Sequence, residues 1–137
     1  MTLTFANQAK NRRKLVTILV GVGVGLFVFV LYLMTLTPTV LPGSLDAQDA
    51  AVLPASAFVL GIPQATGYPT YTILTHFFTY LPIGDVAYRV NLASAVFGAL
   101  AVIAVFFVGL VLSRRVLAAV VGALAFGTSG LFWSQAI

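Results

Sequence analysis

The chain has no cysteine and no glutamate, and it has a single histidine. Without cysteine there can be no disulfide, no thiolate chemistry and no Cys-based metal site. With only His76, a metal site built from histidines is excluded as well. Acid–base chemistry is left to that histidine and to Asp46, Asp49 and Asp85. Charge of either sign is scarce. Only 7% of the 137 residues are charged, against about 25% in an ordinary soluble domain. Hydrophobic residues make up 61%, and the mean hydropathy is +1.08. This is the composition of an integral membrane protein, with the lipid bilayer as its first partner.

The spans follow from the uncharged runs. Residues 1–14 are a basic N-terminus, polar and expected to fray over 1–11, in which Lys10, Arg12, Arg13 and Lys14 precede an apolar run. Residues 15–36 carry no charge and, as a helix, reach roughly 33 Å, enough for a hydrocarbon core of about 30 Å. A secretory signal also begins basic and then apolar, but its apolar region is shorter, about 7–15 residues. The nearest small-x-small site, Ala55-Ser-Ala57, lies far downstream. The run therefore reads as an uncleaved anchor. Inside it, Gly21-Val-Gly-Val-Gly25 is no nucleotide loop, because no strand precedes it. Gly21 and Gly25 form a Gly-xxx-Gly face that would let another helix approach; plain tolerance of glycine in a membrane helix explains them equally well. Further spans are expected at 88–112 and 116–133, joined by a turn at 113–115 that contains Arg114 and Arg115. Residues 134–137 form the end, and the chain is expected to be incomplete.

Between the first two spans, residues 37–87 form a long loop. Asp46 or Asp49 can cap a short helix there, with Gly61 as its stop, and Pro54 is expected to kink that helix or delay its start. Residues 71–81 are amphipathic. Ile73, Leu74, Phe77, Phe78 and Leu81 fall on one face; Thr72, Thr75, His76 and Thr79 fall on the other. At roughly 16 Å this helix is too short to span, and it should lie at the interface or against the bundle. Asp85 can cap the span that follows and can pair with Arg89 four residues on. The fold class is thus an all-α membrane protein with three transmembrane helices and an extracytoplasmic loop bearing short interfacial helices.

Orientation follows from charge. With the N-terminus in the cytoplasm, Lys10, Arg12, Arg13, Lys14, Arg114 and Arg115 all lie on the cytoplasmic side, and the three aspartates lie outside with Arg89. The net charge of +4 is then a topology signal, and no nucleic-acid partner is implied.

Beyond the first span, the sequence resembles a known family. Asp49-Ala-Ala, Leu60-Gly-Ile-Pro63, Thr66-Gly-Tyr-Pro-Thr-Tyr71, Leu81-Pro-Ile-Gly-Asp-Val-Ala-Tyr-Arg-Val-Asn91, Ser94-Ala-Val-Phe-Gly-Ala-Leu100 and Phe132-Trp-Ser-Gln-Ala136 are similar to the N-terminal part of the protein O-mannosyltransferase-like membrane proteins, of the GT-C class of glycosyltransferases. The resemblance runs from about Leu45 onward. It implies a many-helix enzyme that takes sugar from a polyprenyl-phosphate donor. Asp49 stands at the family's acidic position, as general base or as metal ligand with Asp46; the implied cofactor is at most a divalent metal ion. A carboxylate suits either role, since a hydroxyl acceptor is a poor nucleophile until a base takes its proton, and a cation can hold the phosphate leaving group. Tyr68, His76 and Arg89 are the candidate substrate-binding residues, Arg89 for a lipid phosphate. The bland readings are a helix cap for Asp49, a hydrogen-bonded histidine for His76 and the Asp85–Arg89 pair. Where the family usually carries a second acid and a histidine, this chain has Val52 and Gln64. Further transmembrane helices, of this or a companion chain, are expected partners. The rival reading is a non-catalytic membrane subunit that docks helices; a transporter is disfavoured because no span holds a mid-membrane ionisable residue.

Overall fold

A computed structural model describes residues 2–39, 47–63 and 67–137, with the backbone alone at 2–7, 9, 10 and 47–50. Among the described residues the chain is all helical: α1 (Thr2–Thr35), α2 (Ala47–Val59), α3 (Pro69–Phe78), α4 (Val86–Ser113), α5 (Val116–Gly127) and α6 (Gly130–Ala136). Two segments are long and apolar enough to cross a membrane, Asn11–Thr35 and Val86–Ser113. Together α5 and α6 make a third only if they count as one span, because they are bent by 64° at their junction. The polar N-terminus expected to fray is helical from Thr2. No glycine or proline interrupts the first 20 residues, so nothing in the backbone stops the helix from extending outward.

The chain divides into two units, Met1–Leu31 with Gly98–Trp133, and Tyr32–Phe97 with Ser134–Ile137. In the first unit, antiparallel helices meet through small residues. A Cβ placed on Gly21 would lie 2.5 Å from Phe106 Cδ1, and one on Gly25 would collide with the side chain of Ile103 and sit 3.3 Å from the Ala99 carbonyl. One on Gly127 would lie 2.7 Å from Val102 Cγ2 and 3.2 Å from Val28 Cγ1. Gly109 approaches the backbone of Ala119 in the same way. Lipid tails are as apolar as leucine, so helices there associate through close packing rather than exclusion of water, and small residues permit it. Val28, Val102, Phe106, Ala119 and Ala123 fill the space between them.

The break between α5 and α6 has a local cause. Thr128 Oγ1 donates to the Leu124 carbonyl at 2.8 Å and Ser129 Oγ to the Phe126 carbonyl at 2.8 Å. Both carbonyls also accept a backbone N–H, from Thr128 and Ser129, so each hydroxyl adds a second bond to the last turn, the back-bonding that bends helices. Flanking Gly127 and Gly130 add no side chain to resist the bend, and the rings of Phe126 and Phe132 meet across it at 4.2 Å.

In the second unit, Asp85 caps α4: its Oδ1 accepts the Tyr88 N–H at 2.7 Å. Before it, Gly84 takes φ +52°, and a Cβ there would meet the Tyr88 ring at 2.8 Å, so both conformation and space require glycine. The expected Asp85–Arg89 pairing is replaced by a division of labour. Arg89 donates from Nε to the Ile83 carbonyl at 2.7 Å, from Nη1 to Thr79 at 2.7 Å and from Nη2 to Gly84 at 3.0 Å. The carboxylate serves the helix start while the guanidinium fixes the preceding turn.

Two predictions follow from this packing. Gly25→Val should destabilise the chain by about 1–3 kcal/mol through overpacking, whereas Gly23→Val, which meets nothing within 4 Å, should be close to neutral; thermal unfolding in detergent followed by circular dichroism compares them. The second concerns acid. The Tyr88 N–H, then the Thr39 hydroxyl, with a small share from the Arg89 charge, hold the Asp85 carboxyl below the usual carboxylate range. A depressed folded pKa gives stability that is present above the unfolded pKa and lost as pH falls through the folded one. The gap in unfolding temperature between the chain and Asp85→Asn should therefore be present near neutral pH and close in acid; a gap that stays constant would contradict the cap.

Candidate functional site

The loop expected to carry the chemistry is built on α2 and α3, which pack against one another. Helix α2 begins seven residues ahead of Pro54 and continues through it, so the proline neither delays the start nor ends the helix. Pro54 is buried. The stop is not Gly61 itself. Leu60 takes the left-handed conformation, φ 55°, and the Gly61 N–H returns to the Ser56 carbonyl at 2.9 Å. This is the six-to-one bond of a Schellman ending with leucine in the position glycine prefers.

The Ala57 carbonyl, next in that last turn, is reached from α3. His76 Nδ1 lies 2.8 Å from it, and His76 Nε2 lies 2.8 Å from the Tyr80 hydroxyl. A carbonyl can only accept, so Nδ1 carries the proton; in the neutral ring Nε2 then accepts from Tyr80. His76 is thus the polar tie between the end of α2 and the last turn of α3.

Helix α3 presents its faces in an instructive way. Thr72, Thr75 and Thr79 are buried, Thr75 completely, while Ile73 and Phe77 are 53% and 65% exposed. Two of the hydroxyls bond within the helix: Thr75 Oγ1 donates to the Tyr71 carbonyl at 2.7 Å and Thr79 Oγ1 to the His76 carbonyl at 2.7 Å. Tyr71 reaches α4, sharing a 2.9 Å hydrogen bond with Ser94. Ser94 itself donates to the Val90 carbonyl at 3.3 Å, which leaves the phenol as donor. Burial pushes the Tyr71 phenol up, and the Ser94 bond draws it partly back. Asn91 Nδ2 donates to the Thr37 carbonyl at 3.2 Å, and Phe78 meets Phe97 edge-on.

Tyr68 is the N-cap of α3, at φ 39° and ψ 51°, following Gly67 at φ 74°. Two successive left-handed residues before Pro69 make an abrupt entry into the helix. For a tyrosine this conformation costs about 1–2 kcal/mol. Pro69 stands at the first helical position, which its fixed φ favours. Beside this turn lies a cavity of about 520 Å³ lined by Leu60, Gly61, Ile62, Gly67, Pro69, Thr72 and Ile73. Its walls are largely apolar, and half of Tyr68 stands exposed next to them.

The candidate residues are therefore distributed. Asp49 lies in the first turn of α2, described by its backbone, and Asp46 lies outside the described residues. Tyr68 stands at the start of α3 and His76 in its last turn, roughly 12 Å apart along the axis. Arg89 meets the end of α3 through the Thr79 carbonyl. No hydrogen bond joins Tyr68, His76 and Arg89 to one another. Among the described residues no three His, Asp or Glu side chains come together as a metal site would need; Asp46 and the Asp49 side chain lie outside that set. Two participants escaped the sequence reading. Tyr80 is the partner of His76, signalled only by its four-residue spacing, and Leu60 is the left-handed residue, for which leucine gives no signal.

Comparison with known proteins agrees with the resemblance. Protein O-mannosyl-transferase TMEM260 of Mus musculus is 38% identical over 98 residues, covering 71% of this chain and 14% of that protein. The chain thus spans about a seventh of the length of this curated relative. No solved structure matches it. Residues 49–137 match the family described as Protein O-mannosyl-transferase TMEM260 N-terminal domain, beginning at Asp49 and taking in α3 through α6. With its apolar helices and this match over most of its length, the chain is an integral membrane protein that belongs to the protein O-mannosyl-transferase TMEM260 N-terminal domain family.

Proposed function

We propose that this chain is the N-terminal part of a membrane glycosyltransferase that moves a hexose, mannose by the name of its relative, from a polyprenyl-phosphate carrier to an acceptor hydroxyl outside the cytoplasm. The observation that carries the reading is the family match, which starts at Asp49, the one aspartate in helix α2. In the proposed step the Asp49 carboxylate takes the acceptor's hydroxyl proton. The freed oxygen attacks the anomeric carbon of the donor sugar. The bond from that carbon to the phosphate oxygen breaks, and polyprenyl phosphate leaves with the electron pair. Arg89, with guanidinium N–H groups beyond the three given to carbonyls, is the proposed contact for the donor phosphate. Tyr68 and His76 are the proposed contacts for the sugar or acceptor. Asp49 and Asp46 are also the carboxylates that would hold a divalent cation, if the enzyme uses one.

The 137 residues are proposed to be inactive alone. Their relative is several times longer, and the exposed Ile73, Leu74 and Phe77 suit further helices or lipid rather than water. The proposed orientation places the N-terminus in the cytoplasm and α2 and α3 outside, the side on which the acidic residues gather.

Asp49→Ala, in the longest protein that carries this chain, should lower transfer from a polyprenyl-phosphate sugar by about a hundredfold or more; unchanged turnover would remove Asp49 from the chemistry. Orientation is checked separately. Because the chain has no cysteine, single reporters are clean. Thr70→Cys should react with an impermeant maleimide on intact cells, and Asn11→Cys only after permeabilisation. The reverse pattern would invert the topology.

A further inference from the structure

In the first unit, the register of α1 against α4 continues outward from Gly21 and Gly25. Gly25 faces Ile103 and Ala99, and Gly21 faces Phe106 and Phe107. One further turn along, the helices no longer touch closely. They leave a groove of about 430 Å³ lined by Arg13, Lys14, Thr17, Ile18 and Leu110. Its surface is almost wholly apolar, with Arg13 and Lys14 lining it beside Ile18 and Leu110. Thr17 Oγ1 donates to the Arg13 carbonyl at 2.9 Å, so the hydroxyl serves its own helix and Arg13 and Lys14 remain as the donors.

Two observations point to an anion as the occupant. First, none of the three aspartates lies in this unit, so its cations have no carboxylate partner there. Second, the same register brings the α4–α5 turn to this end, and its arginines stand where local structure prefers other residues. Arg114 is left-handed at φ 54°, a glycine position, and Arg115 occupies the N-cap of α5 at the positive end of the helix. Positive charge is concentrated here against the preference of the backbone.

We infer that this groove is a binding site for an anionic phospholipid, with the headgroup phosphate on Arg13 and Lys14 and the first methylenes on Ile18 and Leu110. Basic pockets between membrane helices hold anionic headgroups in this way. The apolar surface favours a lipid over free phosphate, and the volume is sufficient for a headgroup and the start of a chain.

The test uses the 137-residue chain, purified and delipidated in detergent, with lipid retention read by native mass spectrometry. Short-chain phosphatidylglycerol should be retained in preference to phosphatidylcholine of the same length, and inorganic phosphate should not displace it. Arg13→Gln with Lys14→Gln should weaken phosphatidylglycerol retention roughly tenfold or more. Leu110→Trp, which fills the groove without altering charge, should weaken it to a similar degree, with helicity by circular dichroism confirming the fold. Arg12→Gln removes a charge at a neighbouring residue that does not line the groove and should change retention less than about twofold. Equal retention of the two lipids, displacement by phosphate, an unaffected Leu110→Trp protein, or a loss in Arg12→Gln as large as in the Arg13/Lys14 variant would each overturn the assignment.

Discussion

The end of a helix leaves backbone carbonyls without a partner in the helix, and the second unit is arranged around meeting that demand from its own groups. The end of α2 gives up the Ser56 carbonyl to Gly61 and the Ala57 carbonyl to His76. The turn after α3 gives up the carbonyls of Thr79, Ile83 and Gly84 to Arg89. Threonine hydroxyls along α3 bond to their own helix. Among the described residues no buried side-chain nitrogen or oxygen is left without a hydrogen bond. Helix α3 turns its threonines inward and Ile73, Leu74 and Phe77 outward, the reverse of a helix on a water-soluble protein.

That arrangement bears on function through position. The helix whose first turn contains Asp49 is tied at its other end to α3 by the single histidine. Arg89 holds the turn that joins α3 to α4, and Asp85 starts α4. The proposed catalytic acid therefore rides on an element fixed by polar ties and not by a large apolar core. His76 and Arg89, proposed as substrate contacts, also brace the scaffold. Loss of activity on replacing either would have two sources, whereas replacing Asp49 tests the chemistry itself.

Much of this was legible in the residues. Uncharged runs between basic flanks disclosed the spans, and the alternation of threonine with apolar residues at helical spacing disclosed α3. Asp85 before Val86 signalled a cap, and the run from Asp49 to Asn91 disclosed the family. Other features were hidden for physical reasons. Which face of α3 turns inward cannot be read from periodicity, because the pattern is the same whether the outside is lipid or water. The left-handed Leu60 had no glycine or asparagine to announce it, and Gly61 beside it drew the stop one residue late. The partners of His76 and Arg89 are carbonyls, which every residue has, so sequence offered Asp85 as the visible partner for Arg89 while backbone geometry chose otherwise. The third span, expected over 116–133, bends between Gly127 and Gly130, two of the glycines that break its apolar run in the sequence.

The tie between α2 and α3 is open to a direct measurement because the chain has one histidine. Nitrogen NMR of the ¹⁵N-labelled imidazole, recorded in bicelles at a pH well above the ordinary histidine range, distinguishes the protonated ring nitrogen from the bare one. The bond to the Ala57 carbonyl requires the proton on Nδ1, with Nε2 shifted as an acceptor from Tyr80. A proton on Nε2, or rapid exchange between the two tautomers, would contradict the tie and with it the account of how α2 is held.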